Sequence, residues 1–137
     1  MLYITRADYE KMLAHCMGEL PMEGCGLIGG VKEGDAWYVK RIYLMSNMHR
    51  DQTHFSMEPA EQFAAVRDMR AHGMELLGNF QSHPRSPAKL SREDIRYACD
   101  SSLVYLVLSL AESQNPVLKA FRPGEGEPVT EEHIIIE

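Results

Sequence analysis

Apolar and polar residues alternate along the chain in two periods, one helical and one of strands. Over 5–20, "TRADYEKMLAHCMGEL", the residues Tyr9, Met12, Leu13, Cys16 and Met17 recur at helical spacing. Thr5 offers an N-cap oxygen and Pro21 stops the run. "GCGLIGGV" and "AWYVKRIYLMS" predict two strands joined by a "KEGD" turn. A second helix is predicted over 57–73, with Pro59 in its first turn, Phe63, Val66 and Met69 or Arg70 along one side, and Gly73 at its end. "MELLGNFQSH" then reads as a strand and "SREDIRYAC" as a short helix. "SLVYLVLSL" is a nearly continuous apolar run, the pattern of a central strand covered on both faces. "PVLKAFRP" and "EEHIIIE" supply two more strands. Helices interleaved with at least five strands predict an α/β or α+β domain built on one sheet. No repeat, linker or low-complexity segment divides it, so residues 1–137 are expected to form a single domain.

Composition narrows the function without naming it. With 45% apolar and 25% charged residues the chain is an ordinary globule, long enough for one sizeable core. A net charge of -6 and the absence of any Lys/Arg cluster argue against a nucleic-acid partner. No apolar run approaches the ~20 residues that cross a bilayer, so no membrane partner is expected. "MLYITRADYEKML" lacks the basic and apolar regions of a signal peptide. Cys16, Cys25 and Cys99 are odd in number and unpatterned, which speaks against a disulfide framework and for a reducing cytoplasm. The absence of C-x-x-C removes thiolate zinc fingers and the zinc-deaminase signature.

The chemistry concentrates in "GNFQSHPRSPAKLSREDI", residues 78–95. On a strand Gln81 and His83 point to one face while Ser82 points away, and Pro84 ends regular pairing just after them. Both side chains therefore belong at the mouth of the sheet, where a rigid strand gives way to a loop. Ser91 and Asp94 make a Ser-x-x-Asp capping-box pattern, which needs no function to explain it. A histidine at a strand end is likewise often no more than a hydrogen-bonded residue. Taken together, the eleven-residue step from His83 to Asp94 describes an excursion that can return the aspartate to the histidine. Imidazole and carboxylate are ordinary zinc ligands, and a catalytic zinc takes three protein ligands and a water.

These residues resemble the JAMM (MPN+) motif of zinc isopeptidases, written His-x-His-Pro, seven residues, then Ser-x-x-Asp. The His83-to-Asp94 step keeps the family's register, although one fewer residue separates Pro84 from Ser91 than that loose notation implies. "LPMEGCGLIGG", "FSMEPAEQF", "SHPRSPAKLS" and "YLVLSL" follow in order, as in the small stand-alone bacterial members, so the resemblance covers nearly the whole chain. It implies a cytidine-deaminase-like α/β fold, a curved mixed sheet flanked by helices. It implies zinc as cofactor, with His83 and Asp94 as metal ligands and Gln81 at the position of the other ligand histidine. Glu23 would hold the attacking water as general base, and Ser91 would hydrogen-bond the oxygen of the tetrahedral intermediate. The implied substrate is a bond after the Gly-Gly tail of a ubiquitin-like or sulfur-carrier protein, and a homodimer is compatible with the reading.

Gln81 departs from the pattern. A glutamine offers only a neutral oxygen, better suited to hard cations than to zinc. The residue leaves three readings open: an inactivating substitution, a weak zinc site, or a non-catalytic module that binds a carrier tail or a partner domain. Cys25, two residues from Glu23, is a further conceivable ligand, though a small buried residue after a glycine is its simpler role. Glu23 itself could be a solvated charge. His15, His49, His54, His72 and His133 are expected to be structural or exposed, with His49 and His54 flanking a polar loop that can border a substrate groove.

Overall fold

A computed structural model of the chain describes all residues except 50–54, 99 and 124–128, and Tyr97 by its backbone alone. His54 and Cys99 thus lie outside the described residues. The elements run β1 (Leu2–Ile4), α1 (Arg6–Glu19), β2 (Cys25–Glu33), β3 (Ala36–Met45), α2 (Pro59–Ala71), β4 (Glu75–His83), α3 (Arg92–Tyr97), β5 (Val104–Ser109), β6 (Val117–Arg122), β7 (Thr130–Glu132) and β8 (Ile134–Ile136). Local chemistry sets many of the ends. Thr5 Oγ1 accepts the Asp8 N–H and caps α1, and Glu58 caps α2 with Pro59 behind it. Gly73, at φ +69°, takes the left-handed turn that ends α2.

One eight-stranded sheet holds the fold, in the order β7-β6-β5-β4-β2-β3-β1-β8. It is mixed: β4 and β5 are parallel, as are β1 with β3 and β1 with β8, and the remaining neighbours are antiparallel. β7 and β8 stand at opposite ends of this order, yet only His133 separates them in sequence. A flat sheet cannot satisfy both facts. The sheet curls until its edges nearly meet, and the Met1 ammonium, beside β1, donates to Glu132 Oε2 of β7 at 3.0 Å. The α/β class and the curved mixed sheet follow the sequence reading. "EEHIIIE" does not: it is two strands on two edges, and His133 is the residue between them. β1, placed beside β3 and β8, has no counterpart among the predicted strands.

The sheet separates three apolar clusters. Leu2, Ile4, Met12, Cys16, Ile28, Phe80, Leu106 and Leu108 pack together on the side of α1. On the other face Cys25 and Leu27 meet Ala65 and Met69 of α2, while Tyr105 and Val107 meet Ala88, Leu90 and Ala98 around α3. Phe63, expected on the packed side of α2, is 67% exposed, because Ala65 and Met69 carry that contact instead. Gln81 is paired with Cys25 on one side and Val107 on the other, residues of those last two clusters. Asn79, Gln81 and His83, alternating along β4, therefore form a polar row in the seam between two apolar masses.

Candidate functional site

The row is fixed from behind. Ser82, pointing to the opposite face, accepts the Gly24 N–H on its Oγ at 2.7 Å, and the Ser82 N–H donates to the Gly24 carbonyl at 2.9 Å. A Cβ at Gly24 would lie 2.9 Å from Cys16 Sγ and 3.0 Å from Cys16 Cα, so only glycine lets this segment press so closely on α1. The antiparallel register that pairs Cys25 with Gln81, carried two residues on, brings Glu23 opposite His83. Glu23 is buried, its carbonyl accepts from Asn47 Nδ2 at 2.9 Å, and its charge is felt at His83. It is not a solvated surface charge.

The excursion after Pro84 closes over the row. Ser109 Oγ donates to the Ser86 carbonyl at 2.7 Å, and His83 Nδ1–H donates to the Pro87 carbonyl at 3.0 Å. Ala88 and Leu90 are buried, so the segment folds back and α3 begins above His83. The capping box forms: Ser91 Oγ accepts the Asp94 N–H at 3.0 Å and Asp94 Oδ2 accepts the Ser91 N–H at 2.8 Å. The same Oδ2 lies 3.4 Å from His83 Nε2. The cap thus also aims the Asp94 carboxylate at the imidazole.

His83 Nε2 also lies 3.1 Å from Gln81 Oε1. A carbonyl only accepts, so Nδ1 must carry the proton given to Pro87, and the neutral ring then presents Nε2 as a lone pair. That lone pair faces two oxygens. Three acceptors facing one another call for a donor or a cation: a second ring proton, a metal, or the Gln81 amide turned to offer its N–H. The proton's share is visible: burial works against a charged imidazole, but the Asp94 hydrogen bond, the Pro87 carbonyl and the carboxylates of Asp94 and Glu23 hold His83 above the ordinary histidine range. Burial likewise opposes the Asp94 charge, and the bonds from His83 and Ser91 outweigh it and hold the carboxyl low. A metal would find two ordinary zinc donors, one already oriented by a carbonyl behind it, and one neutral amide oxygen. The set fits zinc, with a weak third ligand. Among the described residues no three His, Cys, Asp or Glu side chains converge as a metal-binding group. Cys25 does not make up the deficit, since burial pushes its thiol up to about 12 and it packs among Leu27, Met45 and Met69.

Beside Gln81 and Asp94 opens a cavity of about 490 Å³, whose lining includes His49, Phe55, Asn79, Leu90 and Tyr105. His49, Phe55 and Ser56, the described part of the polar loop, border it as the sequence suggested, and Leu90 before α3 forms another wall. His15 Nε2 meets the Met45 carbonyl at 3.2 Å and His72 caps α2, both structural. Ser82, Asn47 and Asn79 were not singled out in the sequence. Asn79 carries a usable signal, being two before Gln81 on the same strand face; the other two act across long sequence gaps.

A family model for prokaryotic homologues of the JAB domain matches residues 5–123. The chain belongs to this family. Peptidases of the JAB family are generally zinc-dependent. Among curated relatives, a protein of Thermus thermophilus named as a probable TtuB-protein conjugate cleaving protease is 33% identical over 72% of this chain. The match spans 64% of that relative's length. A CysO-cysteine peptidase of Mycobacterium tuberculosis is 28% identical over 96% of this chain and 88% of its own. A solution structure from Desulfitobacterium hafniense is 49% identical, covers 100% of this chain and 93% of the other, and superposes with a TM-score of 0.92. The JAB1/MPN domain protein of Archaeoglobus fulgidus, 17% identical and covering 100% of this chain and 97% of its own, shares the fold at a TM-score of 0.62.

Proposed function

We propose that the protein is a JAB-type peptidase that hydrolyses the bond after the Gly-Gly tail of a sulfur-carrier or other ubiquitin-like protein, with zinc as cofactor and with activity weakened by Gln81. The observation that carries this reading is the convergence of His83 Nε2, Asp94 Oδ2 and Gln81 Oε1 beside the buried Glu23. The names of the Thermus and Mycobacterium relatives support the substrate class. His83, Asp94 and Gln81 would hold the metal. Zinc, when bound, acts as a Lewis acid toward the scissile carbonyl and acidifies water in its coordination sphere.

The chain's own residues would supply the rest. Glu23, buried and opposite His83, takes the proton of the attacking water and passes it to the departing amine. Ser91 uses a lone pair to accept the Asp94 N–H, which leaves its O–H to donate toward the developing oxyanion. Asp94 holds His83 in place and contributes the only ligand charge. The tail would lie extended between the loop after β3 and the segment after Pro84, held by backbone hydrogen bonds. Such chemistry suits a cytoplasmic enzyme, and no helix of the described residues is long and apolar enough to cross a membrane.

A non-catalytic binding module is the second reading, and Gln81 favours it. Turned over, its amide would donate an N–H to His83 Nε2 and satisfy the neutral ring with no metal present. The deciding experiment is a mass-spectrometric time course on a carrier ending in Gly-Gly plus one residue. The Gln81→His form should cleave after the second glycine, and the protein itself at least a hundredfold more slowly, a loss of about 2.7 kcal/mol of transition-state stabilisation. Binding without cleavage by either form would establish the module.

A further inference from the structure

Regular pairing of β2 with β3 ends at Cys25 and Met45. Two residues further on, a side chain takes over from the backbone: Asn47 Nδ2 donates to the Glu23 carbonyl at 2.9 Å. The Asn47 Oδ1 accepts two backbone N–H groups, from His49 at 3.0 Å and from Ser56 at 3.1 Å. A carbonyl only accepts and an N–H only donates, so these three partners fix which way the amide faces. Asn47 is buried, and the Met48 N–H donates to the Ser56 carbonyl at 2.8 Å, so the two ends of the loop are tied together beside it.

One amide thus joins two halves of the site. Ser82 already holds Gly24, the residue after Glu23, from the β4 side. Asn47 holds Glu23 from the β3 side, so the backbone that carries this buried carboxylate is bracketed. His49 and Ser56, whose N–H groups Asn47 accepts, line the cavity together with Gln81 and Asp94. Resting on the peptidase reading above, we propose that Asn47 is a positioning residue with two separable duties. Its Nδ2 holds Glu23 for proton transfer, and its Oδ1 holds the cavity wall against which the carrier tail lies. Aspartate, nearly the same shape, keeps the acceptor for His49 and Ser56 but sets an anionic oxygen against the Glu23 carbonyl, whereas alanine loses both holds. A displaced base slows the chemical step, and a slackened wall weakens binding of the tail.

The test compares Asn47→Asp with Asn47→Ala on a carrier ending in Gly-Gly plus one residue. Calorimetry measures binding of this carrier to the protein and to each variant. Steady-state cleavage measures kcat and KM for each substitution in the Gln81→His background. Asn47→Asp should leave tail affinity and KM within about twofold while kcat falls at least about tenfold. Asn47→Ala should lower kcat as far and also weaken tail binding at least about fivefold. Zinc content should be equal throughout, since the groups Asn47 holds are backbone groups of Glu23, His49 and Ser56. Retained tail affinity also shows that Asn47→Asp has folded. An unchanged kcat in Asn47→Asp, beside an active parent, overturns the hold on Glu23. Undiminished tail binding by Asn47→Ala overturns the hold on the wall. Loss of kcat, tail affinity and zinc together in Asn47→Asp makes Asn47 a residue of the fold alone and overturns both duties. A Gln81→His parent that binds the tail without cleaving it overturns the peptidase reading instead, and calorimetry then still decides the hold on the wall.

Discussion

Ser82 and Gly24 are locked back to back, Ser82 Oγ accepting the Gly24 N–H at 2.7 Å while the Gly24 carbonyl accepts the Ser82 N–H at 2.9 Å. This pair, 58 residues apart in sequence, sets the distance between the two residues that follow from it, Glu23 on one segment and His83 on the other. Ser82 is fully buried, so Ser82→Ala strands the Gly24 N–H without an acceptor. The variant should lose about 1–3 kcal/mol of stability in urea unfolding. It should also lose hydrolysis in a zinc-competent background more than it loses metal, since Glu23 and not a ligand is displaced. Unaltered stability would show that the tether is dispensable.

The donor set makes a quantitative statement about metal. The protein should hold zinc below one equivalent after dialysis against a weak chelator, and Gln81→His should raise affinity at least tenfold, about 1.4 kcal/mol. Elemental analysis paired with a competitive chelator titration measures this. Equal, full occupancy in both forms would remove Gln81 from the ligand shell.

Base and ligand can be separated by one oxygen each. In the Gln81→His background, Glu23→Gln should abolish hydrolysis with zinc content unchanged, because the proposed reading gives Glu23 the water and not the metal. Asp94→Asn should release the metal, and it also weakens the α3 cap, whose acceptor it supplies. Loss of zinc from Glu23→Gln would reverse the two roles.

The His83–Asp94 contact predicts a pH signature in the metal-free protein. His83 titrates above its ordinary value in the fold, so its contribution is complete below about pH 6.5 and fades as pH rises through the folded value. Asp94 titrates below its ordinary value, so its contribution is present above about pH 3.9 and is lost as pH falls through the depressed folded value. Stability in chelator should therefore be highest between those limits. Asp94→Asn should flatten both limbs in urea midpoints measured from pH 3 to 9, and an alkaline limb that survives the substitution would assign it to another group.

Much of this was legible because the signals are local. Strand alternation aligned Gln81 with His83, the Ser-x-x-Asp pattern named the cap, and the apolar run 102–110 marked β5. What was missed depends on pairing between distant segments. β1 and β8 are three residues each, too short for a periodicity, and exist because they pair with one another and with β3. "EEHIIIE" breaks at His133 only because the curled sheet brings its two edges together. Phe63 and Met69 look equivalent on α2 until β2 and β4 choose which side to cover. Asn47, whose amide reaches the Glu23 carbonyl, is an ordinary loop residue until the fold is known.

The tail itself carries the last prediction. On the proposed reading a substrate reaches His83 and Asp94 along the cavity that lies between the two apolar clusters and is walled by Phe55, Leu90 and Tyr105. A chain held extended there by its backbone meets those walls at every Cβ, and glycine has none. Replacing the last glycine of the carrier by valine adds a branched side chain where the backbone must come closest to the metal site. In the Gln81→His form, cleavage of the valine carrier should fall at least a hundredfold, about 2.7 kcal/mol, while the same change four residues upstream has little effect. A mass-spectrometric time course on the two carriers measures the ratio. Equal cleavage of both, or efficient cleavage of an unrelated peptide, would show that the groove reads something other than the Gly-Gly tail.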